Sequence, residues 1–120
     1  QIALQKLSSL KKKDLIKKGK EKEYYSEIAE IIRHYIEARY SINSLELTSN
    51  EIINRLKFEE IESNTLFSLK ELLALTDLVK FAKVKPEDSD NENSLFKAKE
   101  FINSTKYIPS KNEQLDEGNE

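Results

Sequence analysis

Residues 24–40 read Tyr-Tyr-Ser-Glu-Ile-Ala-Glu-Ile-Ile-Arg-His-Tyr-Ile-Glu-Ala-Arg-Tyr, and this stretch decides the fold. Ile28, Ile31, Ile32, Tyr35 and Ile36 recur at the spacing of a helix. Tyr24, Tyr25 and Arg39 fall on the same side, and Glu27, Glu30, Arg33, His34 and Glu37 take the other. Glu30–His34 and Arg33–Glu37 are one turn apart on the solvated face, where such a pair contributes about 0.2–0.5 kcal/mol. Burying an Ile contributes roughly 1.5–3 kcal/mol, so the apolar stripe dictates the helix. Arg39, near the helix end, can pack its stem and turn its guanidinium to exposed carbonyls.

Working outward, Ser41–Leu47 is a short connector in which Leu45 and Leu47 alternate about Glu46, the pattern of an extended segment crossing the core. Thr48-Ser49-Asn50-Glu51 is a capping box that opens a second helix, with Ile52, Ile53 and Leu56 facing inward. An acidic linker follows, Phe58 to Ser63, whose Phe58 and Ile61 are expected to tuck inward. From Asn64 or Thr65 to about Lys83 the chain reads as one central helix. Leu66, Leu69, Leu72 and Leu75 are spaced by three, so their stripe drifts around it, and Leu78, Val79 and Ala82 continue on a rotated face. A break at Thr76-Asp77 is the alternative. Ser89-Asp90-Asn91-Glu92 is read as the box opening a last helix to about Lys106, with Leu95, Ala98, Phe101 and Ile102 facing the core.

At the amino end, Ala3, Leu4, Leu7 and Leu10 make a modest stripe, and Gly19 is the expected stop of that first helix. Residues 1–23 hold eight lysines against Asp14, Glu21 and Glu23. This basic segment reads either as a solvated helix or as a juxtamembrane segment drawn to anionic lipid. The chain opens with Gln1 and has no Met, so we expect a fragment of a longer protein. The resulting division is a basic segment at 1–23, a helical domain at 24–106 and a disordered acidic tail at 107–120. The fold class is all-α, a bundle of about five helices, with a helix-turn-helix-like core as a possible element.

The chain has 120 residues, a net charge of −2, two Gly, two Pro and no Cys. The scarcity of turn residues favours helices over a many-stranded sheet. Disulfides and thiolate chemistry are excluded. No apolar run reaches the roughly 18 residues of a membrane span. His34 is the only histidine and sits on the polar face, with no Cys or second His to join it as a ligand or base. Glu59, Glu60 and Glu62 lack the alternating ligands and turn glycine of a calcium loop, and Asp88, Asp90 and Glu92 are explained as acids at a helix start. There is no glycine-rich phosphate loop. We therefore expect no catalytic set, no cofactor and no metal. A nucleic-acid-binding helix would place basic or amide side chains at its amino end. Here that end reads Asn64-Thr65-Leu66-Phe67-Ser68 behind three glutamates, which would repel phosphate.

Tyr24-Tyr25-Ser26-Glu27-Ile28 through Tyr40-Ser41-Ile42, then Leu45-Glu46-Leu47-Thr48-Ser49-Asn50-Glu51-Ile52, and Thr76-Asp77-Leu78-Val79-Lys80-Phe81-Ala82-Lys83 resemble a cytoplasmic domain of BatD-like bacterial membrane proteins of the Bat (Bacteroides aerotolerance) operons. The likeness covers about residues 1–106. The chain departs from that pattern at Ser41, where a Gly is expected, and at Ser44, which stands for an Ala. The resemblance implies a protein of the inner membrane whose span precedes Gln1. It also implies the company of a MoxR-type AAA+ ATPase and von Willebrand A-domain proteins, and no enzymatic activity. The expected function is that of an adaptor on the cytoplasmic face of the membrane, docking one of those partners. Tyr24, Tyr25 and Arg39 are the candidate partner-binding residues, because aromatics and Arg dominate interface energetics. The first two read more readily as core or boundary tyrosines. A winged-helix-like nucleic-acid-binding domain is the alternative.

Overall fold

The stripe of residues 24–36 lies where its spacing puts it: Tyr24, Tyr25, Ile28, Ile32, Tyr35 and Ile36 are all buried on one side of a twenty-residue helix. A computed structural model describes residues 1–106. In it the elements follow the order α1 (Ile2–Lys12), α2 (Glu21–Tyr40), a 3₁₀ turn (Ser44–Glu46), α3 (Ser49–Leu56), α4 (Ser63–Phe81) and α5 (Asp88–Thr105). The described residues form an all-α bundle of five helices without strands. Helix α2 is its axis, packing on α1, α4 and α5, while α3 packs on α4.

Ala3, Leu7 and Leu10 of α1 are buried, and the eight lysines of residues 1–23 are all exposed. Helix α1 ends at Lys12, earlier than the Gly19 stop that the sequence suggests, because Asp14 turns left-handed at φ 54°. Gly19 closes a separate single turn that buries Leu15. The Gly19 amide donates to Ile16 O at 3.0 Å and the Lys20 amide to Leu15 O at 2.8 Å, around a φ of +73° that suits a residue without Cβ.

Helix α2 stops at Ser41, which is left-handed (φ 56°, ψ 37°) and whose amide donates to Glu37 O at 3.0 Å. The connector beyond is not extended. It coils into the 3₁₀ turn, which buries Ser44 and leaves Leu45 exposed. Arg33 causes this. Its Nη1 donates to Ser44 O at 2.9 Å and also to Leu47 O, while the Ser44 hydroxyl donates back to the Arg33 carbonyl. Arg33 is thus turned to the connector and is not paired with Glu37. The Thr48 box forms as read: the Glu51 amide donates to Thr48 Oγ1 at 3.2 Å, and the Thr48 amide donates to Glu51 Oε1 at 2.9 Å.

Ile61 packs against the core, but Phe58 is 87% exposed, because the tight turn after α3 carries it outward. Helix α4 is unbroken. The buried Thr76 hydroxyl donates to Leu73 O at 2.7 Å within the helix and caps no new turn. Leu69, Leu72, Leu73 and Val79 are buried, yet Phe67, Ala74, Leu78 and Phe81 are exposed, so α4 is not enclosed on all sides. It ends over Lys83 (φ 57°), with the Ala82 and Val84 amides both donating to Leu78 O. Helix α5 starts at Asp88, capped by Glu87, whose amide donates to Asp90 Oδ2 at 2.9 Å. The box read at Ser89–Glu92 does not form, because the Glu87–Asp90 box opens the helix two residues earlier and leaves Ser89 and Glu92 inside it. Leu95, Ala98, Phe101 and Ile102 face the core as spaced. The acidic tail at 107–120 lies outside the described residues.

Candidate protein interface

The three residues singled out from sequence are internal ties between α2 and α5. Tyr24 and Tyr25 are buried and meet edge to face, with ring centroids 5.4 Å apart. The Tyr24 hydroxyl donates to Asn91 O at 2.9 Å, and the Tyr25 hydroxyl donates to Asn91 Oδ1 at 2.7 Å. Burial pushes the Tyr24 hydroxyl up to about 12, with Tyr25 and Glu92 adding to the rise. Neither ring offers surface to a partner, which corrects their reading as contact residues. Arg39 is half-buried. Its Nε donates to Thr105 O at 2.7 Å and its guanidinium carbon lies 4.7 Å from the Tyr40 ring centroid. It therefore meets a helix-end carbonyl as expected, although the carbonyl belongs to α5. Tyr35 adds a fourth tie, 2.9 Å from Thr105 Oγ1.

His34 is exposed, with Nε2 3.7 Å from Glu30 Oε1 one turn back. It lines an open cleft of about 510 Å³ between α1 and α2, together with Ser9, Lys13 and Glu27. Lys13 and Glu27 spend their charges on each other at 2.7 Å, and the hydrogen bond to Glu27, with its charge, raises the Lys13 ammonium pKa. Among the described residues no three His, Cys, Asp or Glu side chains gather in a metal-ligating group. Glu59, Glu60 and Glu62, in front of α4, are all exposed, which sets negative charge where a nucleic-acid reader would need positive.

The surface that stands out is on α4. Phe67 is 60% exposed, Leu78 47% and Phe81 75%, with exposed Ala74 between them. At roughly 3.6 residues per turn, all four lie within about 40° of the Ala74 direction. They form a second apolar stripe, nearly opposite the buried one. Beside it runs a groove of about 710 Å³. Its apolar lining comes from Leu45, Leu47, Ile53, Ala74, Leu78 and Phe81, and Lys70 and Asp77 stand on its α4 wall. The far wall is the connector that Arg33 holds in place. Sequence reading missed this surface by treating α4 as enclosed. The recurrence of Phe67, Ala74, Leu78 and Phe81 at intervals of seven, four and three was the available signal.

No protein-family model, curated protein or solved structure matches the chain.

Proposed function

We propose that this chain is a protein-interaction domain, an adaptor and not an enzyme, that docks partner proteins on the exposed stripe of α4 and the groove beside it. One observation carries the reading: three large apolar side chains and an alanine stay in water along one line of a helix whose other side is packed. Covering a Phe or Leu is worth roughly 1.5–3 kcal/mol, so such a line favours a complementary surface. A contiguous apolar patch edged by charges is the usual mark of a contact site. A helix laid into a groove is one way such a line is covered.

The resemblance to BatD-like proteins supports the identity of the partners, a MoxR-type AAA+ ATPase or a von Willebrand A-domain protein. It also supports a place on the cytoplasmic face of the bacterial inner membrane, with a tether before Gln1. No helix among the described residues is long and apolar enough to cross a membrane. The exposed lysines of residues 1–23 suit a position beside anionic lipid.

The test is calorimetric titration of the purified ATPase and the A-domain protein into the chain. One of them should bind, and Phe81→Asp should weaken that binding at least tenfold, as expected of an aromatic anchor. Absence of binding by both, or equal binding by the variant, would overturn the reading.

A further inference from the structure

We infer that the α4 stripe is covered by the same stripe of a second copy of this chain, with the two α4 helices antiparallel about a two-fold axis at Ala74. The inference rests on the docking reading above and names an occupant for that face.

The two ends of the stripe are symmetric about Ala74, while Leu78 has Lys70 as its counterpart. Phe67 and Phe81 stand seven residues to either side, roughly 10 Å along the axis at about 1.5 Å per residue. The smallest side chain is in the middle, where two crossing helices approach most closely. A two-fold interface must complement its own image: where residue i meets j, j also meets i. Phe67 then meets Phe81 of the partner subunit, and the contact is made twice.

The charges obey the same rule. Lys70 lies four residues before Ala74 and Asp77 three after, and both edge the side of the stripe that faces the groove. A two-fold axis perpendicular to the helices keeps that side and reverses the chain direction. Lys70 therefore faces Asp77 of the partner subunit, and Asp77 faces Lys70 of the partner subunit. Within one copy, neither forms an ion pair with another described residue. Glu71 would repel an opposing Asp77, but it lies on the other edge of the stripe, 3.5 Å from Lys97 of α5. A parallel two-fold would swap the edges, setting Lys70 beside Glu71 of the partner subunit, which Lys97 already engages, and leaving Asp77 without a cation. Only the antiparallel arrangement pairs both Lys70 and Asp77. A foreign helix would require none of this symmetry.

Sedimentation equilibrium of the whole chain at low salt tests the pairing. A monomer–dimer equilibrium is expected. Lys70→Glu alone and Asp77→Lys alone should each weaken it about tenfold, because each single change breaks both symmetric pairs. The two changes in one chain should restore it, and so should mixing the two single variants. Phe81→Asp should abolish the dimer with helical circular dichroism unchanged, since that side chain is largely in solvent. A chain that is monomeric at every concentration, a double variant no tighter than the single ones, or a dimer indifferent to Phe81→Asp would each overturn the inference. A monomer whose Phe81→Asp variant still loses binding to the ATPase would remove the second copy from this face and leave the docking face standing.

Discussion

The Arg33 guanidinium donates to the Ser44 carbonyl at 2.9 Å, and the Ser44 hydroxyl donates back to the Arg33 carbonyl. This reciprocal clasp fixes the connector after α2, and with it one wall of the α4 groove. Ser44 is fully buried, and without Arg33 its carbonyl keeps only the Leu47 amide at 3.3 Å. Arg33→Ala should therefore destabilise the chain by about 2 kcal/mol, the net worth of hydrogen bonds from a charged donor. Urea unfolding would show it as a lower midpoint at unchanged slope.

Asn91 accepts from Tyr25 through its side chain and from Tyr24 through its backbone. Asn91→Leu removes only the first acceptor and strands a buried hydroxyl, at about 1–3 kcal/mol. Adding Tyr25→Phe removes the stranded group, so the double variant should be more stable than the sum of the two single losses. A double-mutant cycle measured by chemical unfolding checks this.

Ser41 and Lys83 hold left-handed conformations, at φ 56° and φ 57°, with a Cβ that disfavours them. Ser41→Gly and Lys83→Gly should each raise stability by about 0.5–1 kcal/mol, and thermal unfolding should shift upward. The Ser44 hydroxyl, by contrast, is needed where it is, as half of the clasp with Arg33.

Alkaline pH should loosen the α2–α5 contact. The Tyr24 hydroxyl is raised from its ordinary value of 10.0 to about 12 in the folded chain, chiefly by burial. Its contribution is fully present below pH 10 and is lost as pH rises toward 12, because the unfolded chain releases that proton first. Tyrosinate absorbance should rise late and together with loss of helicity. Glu51 behaves in the opposite sense. The Thr48 amide holds its carboxyl below the ordinary value, so its contribution is present above that value and is lost on acidification.

Much of the fold was legible because it follows from neighbours in sequence. The α2 stripe, the Thr48–Glu51 box and the core face of α5 each need only local spacing. The parts that were not legible depend on residues far along the chain. Arg33 and Glu37 are suitably spaced for a pair, yet the carbonyls of Ser44 and Leu47 win the guanidinium, and no local rule contains them. Ser89 and Glu92 fit a capping box, yet Glu87 and Asp90 form it two residues earlier, and Asn91 is taken by two tyrosines of α2. Phe58 is apolar in a linker, and its exposure is set by the turn that follows α3. Helix α4 reads as enclosed because it is apolar on two sides. Sequence cannot reveal that only one of them has a partner within the chain.

The central claim is that Leu78 and Phe81 lie in solvent until another surface covers them. The chain has no Cys, so single cysteines report accessibility without background. In dilute solution, Leu78→Cys and Phe81→Cys should react with a thiol reagent nearly as fast as a small free thiol. Leu73→Cys, on the packed side, should react only on unfolding. Raising the concentration or adding the partner should slow the first two and leave the third unchanged. Slow labelling at 78 and 81 in the dilute chain, or labelling at 73 as fast as at 81, would contradict the account.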